Sequence, residues 1–164
     1  MLRNTGDEKL DVVNDASVVE TAPGFVRVKI KATGVCHSDL STMTGVIPQP
    51  APVILGHEGA GEVVEVGDNC PDLKVGDHAI VAWVAPCGKC PFCIHGQPNL
   101  CSTVLMNAGF VQRFTVAGEP VYGMAGTGTF CDEVVLPHQS VIKIPDDVPF
   151  DIASLVGCGV MTGV

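Results

Sequence analysis

Gly56-His57-Glu58-Gly59-Ala60-Gly61-Glu62-Val63-Val64-Glu65-Val66-Gly67 is the stretch from which the rest of the chain can be read. It sets a histidine beside a glutamate at the mouth of a strand. Val63, Val64 and Val66 favour extended backbone. The glycines allow turns and close packing where a Cβ would clash. A histidine on a stiff, glycine-bounded strand is held in place before a metal arrives, which suits a ligand. Alone, the His-Glu pair equally fits a surface histidine or a satisfied core one. Three other stretches shift the balance: Cys36-His37-Ser38-Asp39, a four-cysteine cluster further on, and Gly157-Cys158-Gly159.

Outward from that stretch, 164 residues read as one domain, residues 1–164, with 46% apolar residues to fill a core. The 19 glycines and 12 prolines are scattered, so the expected fold is mainly β with short helices. A net charge of −9 argues against a nucleic-acid partner and an anionic membrane surface. Met1 to Val13 lacks the apolar core of a signal peptide, and no apolar run approaches the roughly 18 residues of a membrane span. The expectation is a cytoplasmic protein with no membrane and no nucleic-acid partner. Eight cysteines in a reducing compartment point to metal binding or packing. A secreted disulfide scaffold is the rival, disfavoured by the missing signal and the large apolar core.

Leu10–Val13 and Ala16–Val19 read as short strands around an Asn14-Asp15 turn. Val26, Val28 and Ile30 alternate with Arg27, Lys29 and Lys31, a half-buried strand. That strand runs into Cys36-His37-Ser38-Asp39, where Ser38 or a neighbour caps a short helix ending near Gly45. Ala79–Val84 and the pair Glu133–Leu136 and Val141–Ile144 read as further strands. Residues 104–129 show no clear period and read as loops over a pocket. Asp151 is expected to cap a short helix that Gly157-Cys158-Gly159 ends.

Cys87, Cys90, Cys93 and Cys101 follow the spacing Cys-x2-Cys-x2-Cys-x7-Cys. Two-residue gaps let successive thiols curl onto one ion, and the longer gap brings back the fourth. Zinc takes four such ligands in a tetrahedron, with sulfur at about 2.3 Å. Four thiolates leave no open position, so this site is expected to be structural and to contribute to folding. An iron–sulfur cluster is the rival, because every ligand is sulfur. Free or paired thiols explain the spacing poorly, since residues 86–103 have little else to hold them.

Cys36, His57 and Cys158 remain as a second candidate set. Each lies at a glycine-rich junction beside an apolar element. Two cysteines and a histidine with water in fourth place make a catalytic zinc pattern. The three are too far apart in sequence for spacing to join them.

The pattern Gly-His-Glu-x2-Gly-x5-Gly-x2-Cys, over Gly56, His57, Glu58, Gly61, Gly67 and Cys70, resembles the signature of zinc-containing alcohol dehydrogenases of the medium-chain dehydrogenase/reductase superfamily. Gly34-Val35-Cys36-His37-Ser38-Asp39, the four-cysteine lobe and Gly157-Cys158-Gly159-Val160-Met161-Thr162-Gly163 resemble the same family in the same order. The likeness covers about residues 20 to 164 and leans to the class III-like bacterial branch. It implies a GroES-like catalytic domain. It implies Cys36, His57 and Cys158 on a catalytic zinc and Cys87, Cys90, Cys93 and Cys101 on a structural one, hence two zinc ions per chain. It further implies Asp39 orienting His57, Glu58 close behind the metal, Ser38 taking the alcohol proton, and His37 touching the coenzyme pyrophosphate. Ser38 and His37 also suit plain helix capping and a solvated ring. Many relatives end the proton relay on a histidine where this chain has Ser41, so the resemblance leaves the endpoint of that relay open.

The implied reaction is zinc-dependent oxidation of an alcohol to an aldehyde or ketone, with hydride passing to NAD or NADP. Family members bind that cofactor on a Rossmann domain and are homodimers or homotetramers. No Gly-x-Gly-x-x-Gly follows a strand here; Gly123-Met124-Ala125-Gly126-Thr127-Gly128 lacks the spacing. The Rossmann domain is therefore expected to be absent, the catalytic domain incomplete, and the chain inactive alone. The alternative is a non-enzymatic zinc-binding fragment that keeps the fold. Cys70 and Cys131 read as small buried side chains, His78, His95 and His138 as surface residues, and Trp83 as core, or as a strand residue facing the pocket.

Overall fold

The computed structural model describes the backbone of residues 1–164 and all side chains outside 105–108. In chain order the elements are β1 (Ala16–Val18), β2 (Phe25–Thr33), α1 (His37–Met43), β3 (Val53–Ile54), β4 (Gly59–Val66) and β5 (His78–Val81). Then come α2 (Pro91–Ile94), α3 (Ser102–Asn107), β6 (Gln112–Val116), β7 (Glu119–Gly123), β8 (Glu133–Pro137) and β9 (Val141–Lys143). The chain closes on α4 (Phe150–Leu155), a π turn (Val156–Val160) and α5 (Met161–Gly163). The fold is mainly β with short helices, as the composition predicts. Among the described residues no helix is long and apolar enough to cross a membrane.

Two sheets form. The larger runs β8-β2-β4-β5-β9, antiparallel throughout, and the smaller runs β1-β6-β7-β3, parallel only between β3 and β7. Val26 and Val28 on β2 are fully buried, which is the alternation read from sequence. They join Val63, Val81, Val134 and Leu136 of the larger sheet and Phe114 and Val121 of the smaller in one core. Fully burying side chains of this size contributes about 1.5–3 kcal/mol each before conformational entropy is counted.

Gly61 shows why the opening stretch is glycine-rich. A Cβ built there would lie 2.0 Å from the Lys29 carbonyl oxygen. The close approach sits beside a register shift between Ile30 and Ala32 of β2. That irregularity leads the strand toward Cys36.

Several sequence expectations give way. Leu10–Val13 forms no strand; the Asp11 N–H donates to the Met1 carbonyl, and Leu2 bridges Val53 instead. Val12 is exposed, so a strand there would have had nothing to bury. The strand expected over 79–84 stops at Val81, where the Ala82 N–H turns to the Ser140 carbonyl. Residues 112–123, read as loop, are a hairpin. Ala117 and Gly118 have φ of 52° and 85°, so both central residues of a two-residue turn are left-handed, the form that matches strand twist.

The helix near the end also differs. Pro149, not Asp151, is its N-cap, and the Asp151 carboxylate accepts the Ile152 N–H within the first turn. Gly157-Cys158-Gly159 does not end it. The backbone passes into the π turn and on to α5.

Candidate functional site

Three segments remote in sequence converge beside the larger sheet. β2 delivers Cys36 to the start of α1. The turn at Gly56, with φ of 91°, delivers His57 and Glu58 to the start of β4. The π turn delivers Cys158. One ligand atom each from Cys36, His57, Glu58 and Cys158 lies within 4.8 Å of the others. π turns insert an extra residue and redirect side chains, which is why they gather at functional sites.

Asp39 ties two of these segments together. Its Oδ2 accepts the Cys36 N–H at 2.9 Å and its Oδ1 accepts the Gly56 N–H at 2.9 Å. Oδ1 also stands 3.7 Å from His57 Nδ1. Cys36 itself is the N-cap of α1, where the helix cap was expected at Ser38 or a neighbour. Its sulfur accepts the Ser38 N–H at 3.5 Å while Asp39 bonds back to its amide, a capping box with a thiol in place of a hydroxyl.

The electrostatics follow from these contacts. Burial opposes charge on Asp39, but His57 and the Cys36 and Gly56 amides outweigh it and hold the carboxyl below its ordinary value. Burial would likewise lower His57, yet Asp39 and Cys36 raise it overall. The Cys36 thiol is pushed up by burial and pulled down further by Ser38 and His57, for a net lowering. Burial first, with Cys36 and Glu58 adding to it against a Thr162 hydrogen bond, pushes Cys158 up to about 11.

Two thiols, an imidazole and a carboxylate crowded this closely are all electron donors. Two thiolates and a carboxylate this close repel one another unless a cation lies among them. His57 Nδ1 is buried without a hydrogen-bond partner and faces Asp39, so Nε2 is the ring nitrogen left for a ligand. The donor set fits zinc.

The four-cysteine lobe gives a second such group. Cys90 caps α2, Cys93 sits within it, and a 3-10 turn at Pro98–Leu100 brings Cys101 back. All four sulfurs lie within 4.8 Å of one another. The Cys87 N–H points at Cys101 Sγ and the Cys90 N–H at Cys87 Sγ, each at 3.3 Å, which favours thiolates. The Thr103 hydroxyl and the Lys89 amide pull Cys87 down to about 7. Between 86 and 103 only Cys90 and Cys101 are buried, so the lobe has no apolar core of its own. Tetrahedral sulfur ligation fits here as well.

The remaining expected site residues lie around the first group. Ser38 Oγ is 3.6 Å from Cys36 Sγ. His37 is exposed, with Nδ1 3.3 Å from Ser41 Oγ. Trp83 is not a core residue. It is 38% exposed, with its ring edge-on to His57 at 6.0 Å between centroids. His78, expected at the surface, is half-buried against the Phe150 ring at 4.5 Å. Nothing in the local sequence around Trp83 distinguishes an inward from an outward ring, because β5 ends two residues before it.

Residues 22–146 match the family described as "Alcohol dehydrogenase GroES-like domain". The chain belongs to that family. Among curated alcohol dehydrogenases, the class-3 enzyme of Dictyostelium discoideum is 40% identical over 159 residues, covering 93% of this chain and 42% of that protein. The S-(hydroxymethyl)glutathione dehydrogenase of Photobacterium damsela subsp. piscicida is 43% identical over 156 residues, covering 89% of this chain and 42% of that protein. The crystal structure of benzyl alcohol dehydrogenase from Acinetobacter calcoaceticus superimposes with a TM-score of 0.81 at 29% identity, over 90% of this chain and 41% of that one. An alcohol dehydrogenase zinc-binding domain protein from Burkholderia ambifaria gives 0.79 at 32% identity, over 90% of this chain and 42% of that one. This GroES-like chain thus spans about two-fifths of the length of the alcohol dehydrogenases it matches. The family resemblance carried by the sequence motifs is the family found.

Proposed function

We propose that residues 1–164 are the zinc- and substrate-binding part of an alcohol dehydrogenase. The reaction is oxidation of an alcohol to an aldehyde or ketone, with the hydride of the alcohol carbon passing to NAD or NADP held on a cofactor domain other than residues 1–164. The convergence of Cys36, His57 and Cys158, held by Asp39, carries the reading.

In this reading Cys36, His57 and Cys158 hold a catalytic zinc, with Glu58 close behind them. Zinc bound there supplies Lewis acidity toward an alcohol oxygen. The lowered Cys36 thiol favours the thiolate that metal binding needs. Asp39 keeps Nδ1 of His57 turned away from the ligand cluster. Ser38 relays the proton of the alcohol hydroxyl, accepting it on Oγ as its own hydroxyl proton passes on toward solvent, a role that its position 3.6 Å from the Cys36 sulfur supports. His37, exposed at the start of α1, meets the cofactor pyrophosphate. Cys87, Cys90, Cys93 and Cys101 hold the second, structural zinc, supported by a lobe that lacks any apolar core.

A second reading is a zinc-holding module without enzymatic activity. The four-cysteine group, whose four sulfurs would leave a metal no open position for a substrate, fits that reading as well. One experiment separates the two. This chain is fused to the remaining part of a relative, and alcohol-dependent formation of reduced cofactor is measured beside the same fusion carrying Cys36→Ser or His57→Ala. Turnover in the parent and not in the variants supports the enzyme. A folded, two-zinc parent that oxidises no alcohol with either cofactor sinks it in favour of the module.

A further inference from the structure

Arg113 is a buried cation with no anionic partner among the described residues. β6 carries a register shift between Gln112 and Phe114 against β7. Consecutive strand residues ordinarily face opposite sides. The bulge turns Arg113 and Phe114 inward together, and Arg113 is only 6% exposed. Its Nε donates to the Gly126 carbonyl at 2.7 Å, and its guanidinium lies 5.8 Å from the centre of the Phe25 ring. Among the described residues no carboxylate comes within ion-pair distance of it. A guanidinium offers five donors, and only Nε is paired within the described residues, which leaves the terminal nitrogens for a ligand. Burial lowers it to about 10, so it remains charged at neutral pH.

The side chain lines a cavity of about 380 Å³. Lys89, Thr103, Gln139 and Ser140 share that wall, and no described lining residue is acidic. That is notable in a chain of net charge −9. The rest of the wall is largely apolar, with Trp83 and Phe25 among its members. Cys87 of the four-cysteine group shares the wall, while neither Cys36, His57 nor Cys158 lines it. Its size falls in the range of small-ligand pockets, which are mostly apolar with a few convergent polar groups.

We propose that this cavity binds a small organic anion: one carboxylate or phosphate head group on an apolar body. The head group pairs with Arg113, whose planar fork matches either oxyanion, and with Lys89. The body lies against Trp83 and the apolar wall. Inorganic phosphate alone leaves that wall uncovered and binds less well.

Trp83 is the only tryptophan and lines both the cavity and the His57 neighbourhood, so its emission detects binding while the amide shifts and the Cys36→Ser control place it. The zinc-loaded chain is titrated with benzoate, phenyl phosphate and inorganic phosphate, following Trp83 fluorescence and the amide shifts of Lys89 and Ser140. A saturable response to benzoate or phenyl phosphate is expected, and whichever binds tighter names the head group. Arg113→Lys should weaken it about 10–100-fold through loss of the bidentate pair. Lys89→Gln, an exposed change that leaves folding intact, should weaken it severalfold. Cys36→Ser should leave it unchanged. The proposal is overturned if neither organic anion gives a saturable response, or if Lys89→Gln and Arg113→Lys both bind like the parent. Binding lost in Cys36→Ser also overturns it, because the anion would then sit at the other site.

Discussion

Asp39 Oδ1 stands 3.7 Å from His57 Nδ1 while the other oxygen of the same carboxylate holds the Cys36 amide. One buried side chain therefore positions two candidate metal ligands that come from segments remote in sequence. Replacing it with Asn keeps the shape but removes the charge facing His57. Asp39→Asn should weaken zinc binding at the Cys36 group about 10–100-fold, the usual cost of losing a partner behind a metal ligand. The lobe should keep its own ion. Competition with a zinc chelator, resolved by native mass spectrometry, checks this; equal loss from both groups would refute it.

Cys158→Ser and Cys90→Ser should fail in different ways. The first removes a proposed ligand from a group beside the larger sheet, so one zinc should be lost while the β core stays protected from hydrogen exchange. The second removes a ligand from a lobe with no core, so exchange protection over 86–103 collapses along with its zinc. Both sheets should remain protected in Cys90→Ser. Uniform loss of protection in both variants would end the division into two independent metal groups.

Gly61→Ala should destabilise the fold by about 3 kcal/mol, the upper end of what overpacking costs, because the new methyl meets a backbone carbonyl that has no room to move. Urea unfolding gives the number. A change under about 0.5 kcal/mol, ordinary for a surface substitution, would mean β2 and β4 can separate there at little cost.

Asp77 supplies a pH dependence away from both metal groups. Lys143 Nζ lies 2.7 Å from its carboxylate and holds the carboxyl below its ordinary value; burial opposes this, and the Lys74 amide adds to it. A depressed carboxyl stabilises the fold above its unfolded value near pH 4, and that stability is lost as pH falls through the lower folded value. Asp77→Asn should cost about 1 kcal/mol or less at pH 7, since Lys143 is half exposed. Stability curves of parent and variant should draw together below about pH 4. A gap that stays constant down to acid would show that charge plays no part.

The local rules were legible where one short stretch contains its own cause. The alternation over Val26–Ile30 predicts β2, and cysteine spacing predicts the group at Cys87–Cys101. The convergence of Cys36, His57 and Cys158 was not readable from spacing, because the sheet topology and the π turn create it. The family motifs supplied that expectation, and the geometry brings those atoms together. The hairpin at 112–123 was missed because Pro120 argues against a strand and Ala117-Gly118 is a weak turn signal beside Asn-Gly. Two glycines flanking Cys158 read as a helix end, yet there the backbone widens and continues. Trp83 was unreadable as a neighbour of His57, since it lies past the last paired residue of β5.

The π turn at Val156–Val160 has a consequence for heredity. It holds one residue more than the α turn it replaces, and each residue of an α-helix advances the direction of side chains by about 100°. Loss of the single codon for Gly157 would straighten the backbone and leave the main core between the sheets in place. It would also swing the sulfur away from its partners and rotate the face presented by Met161–Gly163. An in-frame deletion of three bases could thus erase the first metal group from a protein that still folds.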